Sequence, residues 1–385
     1  MTVDVLISGA GPAGTLLAYH LAKAGLTVYL CEKEKLPRYK SCGGGVTIKA
    51  SKQVPFDLSS VIDFPAAGGK VSFRGVPKMK IKTKEPFASL VMRDRFDYFL
   101  TQQAVAQGAV LMEECKVTGF DKNTDSIDSH TSRGIIKTRM LVGADGVNSS
   151  IAPAAQLMQF RPTGTAIEAE IAVSPEVLEK QGPFGTFDFG ALRHGYGWIF
   201  PKRDHLSVGV FYANTGKIPN LKAMLREYLQ CQPDLKDYTI LTQRGHRIPL
   251  GGHPQALHRG SILLTGDAAN LADPFFGEGI YYALKSANIA ADVILSQWDA
   301  TQLDLVSYTN RVNNEILEEL RFAGKIANLM YHIPRLSTNL LSKSVLLQNS
   351  LFGLIAGSTT YQEFWHFVTL HGYKILLDML LHGGK

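Results

Sequence analysis

A chain of 385 residues is long enough to bury a large core and to form two domains, or one domain carrying a large insertion. Apolar residues make up 45% of it and charged residues 19%, the balance of an ordinary soluble protein, which argues against a disordered chain. The net charge of +6 is scattered, with no basic arm and no aromatic-basic RNA-binding signature, so nucleic acid is not the expected partner and the excess suits an anionic ligand or a membrane face.

In chain order, Val3 to Ser8 read as a buried parallel strand, Ala13 to Ala24 as a helix ended by Gly25, and "TVYLCE" as the strand that closes a strand-helix-strand unit. Inside that unit "GAGPAG" puts Gly9, Gly11 and Gly14 at the GxGxxG spacing: one glycine for a tight turn, one for close approach of a pyrophosphate, one for helix packing. The helix N-terminus, with Ala13 in its first turn, then offers free N–H groups to phosphate. Glu32 ends the second strand, where a carboxylate can hold the hydroxyls of an adenosine ribose. No charged-then-apolar leader precedes the first strand, and Cys31, Cys42, Cys115 and Cys231 lie far apart in sequence without CxxC spacing. Reduced thiols, no metal site and a cytoplasmic location are expected.

"LPRYKSCGGGVT", Leu36 to Thr47, sets one thiol beside three glycines, and such bare backbone permits close approach of another group. Further on, "KVSFRG", "TAIEAEIAV", "GTFDFG", "YGWIFPK" and "HLSVGVFY" alternate as short strands of a mainly antiparallel sheet. "LVGADGVNSSI" places Asp145 after a strand, and "ILLTGDAANLADPFFGEGIYYALKSA" places Asp267 after another, ahead of a glycine-broken turn and a helix. From Ile280 the pattern is mostly helical; its last segments are apolar without an uninterrupted run of membrane-spanning length, and Phe364, Trp365, Phe367 and Lys374 are candidate anchors for peripheral contact with a bilayer.

The three glycine and aspartate stretches resemble, in order, the fingerprints of FAD-dependent oxidoreductases built like p-hydroxybenzoate hydroxylase. Within that group "PRYKSCGGG" and "YGWIFPK" closely resemble the P-R-x-K-x-C-G-G and Y-x-W-x-F-P-K motifs of the geranylgeranyl reductase family. The resemblance implies FAD as cofactor, with Asp267 on the ribityl chain and Gly279 and Ile280 beside the flavin pyrimidine. It also implies that Arg93, in "VMRDRFDYFL", contacts FAD, that the backbone of Val117 meets the adenine, and that Cys42, Gly43 and Gly44 pass over the isoalloxazine. Cys42, Tyr196 and Trp198 become the catalytic candidates, and Lys202 and Arg203 candidates for a lipid head group or diphosphate; the histidines read as structural or exposed.

The fold class that follows is α/β: a discontinuous FAD-binding Rossmann-type domain (1–68, 88–160 and 258–297), an inserted mainly antiparallel β-sheet substrate domain (69–87 and 161–257) and a helical C-terminal region (298–385). The activity implied is hydride transfer from reduced flavin to a double bond of an isoprenoid such as a geranylgeranyl lipid, diphosphate, chlorophyll side chain or quinone tail, with NAD(P)H or ferredoxin as electron donor. A flavin monooxygenase or halogenase of a small aromatic, and a flavin redox protein without its own substrate, are the alternatives. Oligomeric state is not readable.

Overall fold

A computed structural model describes residues 3–158, 160–213, 216, 218–300 and 303–375. Val3–Ser8 is almost wholly buried and pairs in parallel with Val28–Cys31 on one side and Gly134–Gly143 on the other. A strand covered on both faces needs an apolar residue at nearly every position, which is why the run alternates so little. Among the described residues it lies inside an eight-stranded sheet that also takes in Val110–Met112 and Ile262–Leu264, while a seven-stranded sheet is built from two separate segments, Gly68 to Lys82 and Thr163 to Pro249.

The helix Pro12–Lys23 starts at the glycine-rich turn, with Pro12 at its first position and Gly25 at φ +92 just past its end. It packs against the long helix Ile280–Gln297 on one face of the first sheet. The second sheet is antiparallel except where Gly185–Phe189 pairs in parallel with Gly68–Phe73. Its side chains obey the two-residue period: Ile167, Ala169, Ile171, Val208 and Val210 pack under the helix Leu221–Gln230, whereas Ala166, Phe211, Tyr196, Trp198 and Phe187 face the other way.

The C-terminal helices Glu318–His332, Pro334–Lys343, Val345–Ala356 and Tyr361–Leu370 close over that second face, so Phe322, Met330, Leu351, Tyr361 and Phe364 extend its core. This corrects one expectation: Phe364 is buried against the sheet's aromatic cluster and is no surface anchor, and Trp365 and Phe367 are half-buried beside it. Lys374 is exposed. Among the described residues no helix is long and apolar enough to cross a membrane.

Candidate functional site

The two sheets face each other across a cleft of about 660 Å³. At one end lies the glycine-rich turn. A Cβ on Gly14 would sit 2.0 Å from the Gly9 carbonyl oxygen, and one on Gly9, at φ +107, would sit 2.4 Å from that of Ala144, so both glycines serve the protein's own close packing. Gly11 differs: its extended backbone would take a side chain, and a Cβ there meets no protein atom within 4 Å. It looks into the cleft, at the uncapped N-terminus of the helix Pro12–Lys23. A second uncapped N-terminus, Gly279 and Ile280 of the helix Ile280–Gln297, also opens on the cleft, with Asp267 beside it.

Several partly used groups fit a dinucleotide here. Glu32 accepts the backbone N–H groups of Ala10 and Glu34 at 3.2 Å each and reaches the cleft floor. Asp145 accepts the Ser150 N–H through Oδ2 at 2.8 Å, while its Oδ1 is buried and unpartnered. The carbonyl of Val117 is taken by Ser150 Oγ at 2.9 Å. Ala13, Cys42, Gly43, Gly44 and Arg93 line the same cleft; Gly14 lies behind it. Open backbone at the phosphate position, two free helix ends and an unpaired carboxylate oxygen suit a dinucleotide's pyrophosphate and hydroxyls.

The loop "SCGGG" is held by a side chain that sequence reasoning assigned elsewhere. The Lys202 ammonium donates to the carbonyls of Gly43 and Val91, both at 2.9 Å, and the residue is 1% exposed. Lys202 therefore cannot meet a lipid head group: it is a buried staple, its pKa lowered by burial against the pull of Glu170. Arg203 alone of that pair is exposed. The glycines also answer to different neighbours from those expected. A Cβ on Gly43 would meet the Phe200 ring at 2.9 Å, one on Gly44 the Val91 carbonyl at 2.0 Å, and one on Gly45 nothing, so clearance from the protein's own atoms is enough to require the first two.

A chain of ion pairs runs behind the loop. Arg93 grips Asp97 through two bonds of 2.8 and 2.9 Å, and Arg38 bonds the same carboxylate at 2.9 Å and reaches Glu32 at 3.3 Å. Burial opposes ionisation of Asp97, yet the two guanidiniums hold its carboxyl below the usual range. Arg93 in turn faces Cys42, whose Sγ accepts the Gly44 N–H at 3.3 Å.

Opposite stands the cleft face of the second sheet. Two cross-strand rows define it: His246, Ala166, Phe211, Tyr196 and Phe189, and next to it Arg244, Glu168, Gly209, Trp198 and Phe187. The spacing of "YGWIFPK" thus does put Tyr196, Trp198 and Phe200 on one face, all three in the cleft. Tyr196 donates its hydroxyl to the Phe276 carbonyl, and Trp198 Nε1 is buried without a partner. Of the two phenylalanines in "DPFFGEG", Phe276 lines the cleft and Phe275 is fully buried. Asp273 holds that turn by accepting the N–H groups of both, and the Tyr361 hydroxyl from the C-terminal helix also donates to it. Glu278 pairs with Lys49 at 2.6 Å, and Tyr281 packs outside on the Lys49 ammonium.

Sequence reasoning missed several residues of the site, Glu168, His246, Cys31 and Cys115 among them. Glu168 is buried, accepts the Tyr39 hydroxyl at 2.7 Å and lines the cleft. Burial pushes its carboxyl up to about 7, helped by Glu170 and opposed by Tyr39, Lys202 and the Cys42 N–H. His246 lines the cleft 3.3 Å from the Lys40 ammonium, and burial beside that cation pushes it down to about 3; it is half-buried. The signal was present in "TAIEAEIAV", where two glutamates occupy the same inward-facing parity as small apolar residues. Cys31 and Cys115, distant in sequence, lie with sulfurs 3.7 Å apart, both as free thiols.

Residues 2–181 match the family described as FAD binding domain. An uncharacterized protein of Methanosarcina barkeri is 33% identical over 88% of this chain and 86% of its own length. A geranylgeranyl diphosphate reductase of Synechocystis is 29% identical over 80% of each chain. Among solved structures, a geranylgeranyl bacteriochlorophyll reductase-like protein of Thermoplasma acidophilum has the same fold, with a TM-score of 0.80 at 18% identity over 98% of both chains.

Proposed function

Since the chain belongs to the geranylgeranyl reductase family of FAD-dependent oxidoreductases, we propose that it saturates carbon-carbon double bonds of a geranylgeranyl-type chain carried by a lipid or a diphosphate. FAD is the cofactor. The observation that carries the proposal is the composition of one continuous cleft: its polar half is made of glycine backbone, helix ends and carboxylates, and its other half of Phe187, Tyr196, Trp198, Phe200, Ile248 and Phe276. Reduced FAD, when bound, supplies the hydride for the alkene.

The protein's own part is binding, orientation and exclusion of water. Gly11, Ala13 and the helix end behind them would meet the pyrophosphate, with Gly9 and Gly14 shaping the turn; Glu32 would meet the adenosine ribose and Val117 the adenine. Asp267, Gly279 and Ile280 would take the ribityl chain and pyrimidine. Cys42, Gly43 and Gly44, with Arg93 behind them, would flank the ring system on the substrate side, where Lys202 fixes their height. Tyr196 and Trp198 would bound the prenyl chain, and Tyr196 is kept from rotating by its bond to the Phe276 carbonyl. An isolated alkene accepts hydride only when a proton arrives at its other carbon, and an aromatic, water-poor wall lets that proton be delivered by the protein.

The test is anaerobic. Protein with bound FAD is reduced with dithionite, mixed with geranylgeranyl diphosphate or a geranylgeranyl glycerolipid, and the products are read by mass spectrometry. A gain of hydrogen pairs on the chain is expected. Absence of product, with reduced flavin that instead reacts rapidly with oxygen when a small aromatic is present, would replace this reading with a monooxygenase. NADPH and reduced ferredoxin, tried in place of dithionite, identify the donor. Exposed Leu329, Ile333, Leu336 and Leu370 on the C-terminal helices support peripheral contact with a bilayer, which co-sedimentation with vesicles checks.

A further inference from the structure

We propose that Glu168 is the proton donor to the prenyl double bond, its carboxyl presented from the strand position that shares a row with Trp198. The inference rests on the reductase reading above. Glu168 and Trp198 are both registered with Gly209, on the strand between theirs. Because Gly209 has no side chain, the indole lies across it: a Cβ there would stand 2.2 Å from Trp198 Cζ2. The carboxyl and the aromatic wall are therefore neighbours, and both line the cleft.

Glu168 is also fixed in place. Its Oε1 accepts the Tyr39 hydroxyl at 2.7 Å, and the Cys42 backbone N–H faces the same carboxyl. Tyr39 and Cys42 belong to the loop that Lys202 staples, so the donor sits at the height of the thiol and the glycines. Among the described residues, no cation lies within ion-pair distance of Glu168, whereas several ionisable groups around the cleft are committed. Lys202 donates to two carbonyls, Arg93 and Arg38 grip Asp97, Glu278 is paired with Lys49, and the Tyr196 hydroxyl donates its hydrogen bond to the Phe276 carbonyl. A carboxyl whose proton burial holds up to about pH 7 is suited to deliver that proton at neutral pH.

The step balances. The π pair of the double bond takes the proton from Glu168 to make one C–H bond, and the hydride supplied by reduced FAD makes the other. The alkene gains two electrons, the flavin loses two, and the Glu168 carboxylate recovers its proton from solvent after product leaves.

The groups that set the titration of Glu168 are Tyr39 and Cys42 from the loop, Lys202 beyond it, and Glu170, which itself bonds His205 at 3.0 Å; Arg244 is its register partner on the neighbouring strand. The test has two readouts on the holoenzyme. Infrared difference spectra between wild type and Glu168→Gln should contain a protonated-carboxyl band that disappears as pH rises through about 7. In anaerobic single turnovers with geranylgeranyl diphosphate or a geranylgeranyl glycerolipid, Glu168→Gln should slow flavin reoxidation about 100-fold or more and lose the alkaline limb of the wild-type profile. Tyr39→Phe removes a bond to the carboxylate and should move that limb to higher pH, which a purely structural Glu168 would not do. If Glu168→Gln fails to hold FAD, the Tyr39→Phe limb decides alone. A carboxylate already ionised at low pH, an unmoved limb, or a Glu168→Gln rate equal to wild type overturns the donor while leaving the reductase reading intact. A wild type that saturates no prenyl chain overturns both.

Discussion

The Lys202 ammonium stands 2.9 Å from the Gly43 carbonyl, joining a strand of the second sheet to the loop that crosses the cleft. The same ammonium holds the Val91 carbonyl at 2.9 Å, so one side chain sets the separation of three segments. Lys202→Met keeps the aliphatic length but leaves two buried carbonyls without a donor. Relief from desolvating a cation offsets part of that loss, and the expected cost is roughly 1–3 kcal/mol. Urea denaturation should register it, and FAD should dissociate more readily because the Cys42 loop is no longer clamped. A variant with wild-type stability and wild-type FAD affinity would show the staple to be dispensable.

Gly11 and Gly14 occupy one motif but make opposite predictions. Gly11→Ala adds a methyl where no protein atom lies within 4 Å, on backbone that alanine adopts readily, so folding should be unaffected. The methyl would occupy space proposed for the pyrophosphate, and FAD affinity should fall at least tenfold, roughly 1.4 kcal/mol or more. Gly14→Ala puts its methyl 2.0 Å from the Gly9 carbonyl and should lower the melting temperature before any cofactor is added. Fluorescence titration of FAD and thermal unfolding of the apoproteins separate the two. Loss of stability in Gly11→Ala would remove the argument that this glycine is reserved for a ligand.

The strand-helix-strand unit was legible because its signals are local: an apolar run, a glycine spacing and a carboxylate about twenty residues on. Tyr196 and Trp198 were legible for the same reason, since alternation alone fixes which side chains share a face. Lys202 was misread because a lysine at a strand end is usually solvated, and only the return of the glycine loop, over 150 residues earlier in sequence, gives its ammonium two carbonyls. Glu168 and His246 were missed for a related reason. Their importance comes from register, which brings Ala166 opposite His246 and Glu168 opposite Gly209, and register is set by tertiary packing that no single stretch encodes. Tyr361 bonds a turn 88 residues away, and nothing near it in the sequence announces the contact.

Gly209 supplies the space that Trp198 fills, and the two should be energetically coupled. Gly209→Ala would force a methyl against Cζ2 and Cη2 of the indole at 2.2 and 2.3 Å and against the Ile167 carbonyl at 2.6 Å. Overpacking of this kind costs roughly 1–3 kcal/mol. Trp198→Phe shortens the ring and should recover part of that loss in the double variant, so the two substitutions will be less than additive in urea midpoints. Strict additivity would mean that the indole does not rest on Gly209 in solution.

Asp273 gives a pH prediction whose sign is opposite to that of most carboxylates. It is fully buried and accepts the N–H groups of Phe275 and Phe276, and burial pushes its carboxyl up to about 6 from an ordinary 3.8. Between those values the folded protein holds a proton that the unfolded chain releases. Stability from this group is therefore complete below about 4 and is lost as pH rises through about 6, at up to about 1.4 kcal/mol per unit within that window. Asp273→Asn has no proton to lose, so the stability of wild type relative to the variant should fall between those pH values and stay level above them. Tyr361→Phe removes a hydroxyl that favours the ionised carboxyl and should extend the sloping region upward in pH. Urea midpoints of the three proteins from pH 4 to pH 8 measure both effects; a wild-type curve parallel to that of Asp273→Asn would mean the carboxyl is ionised throughout and reached by water, contrary to the burial of the turn beneath the C-terminal helix.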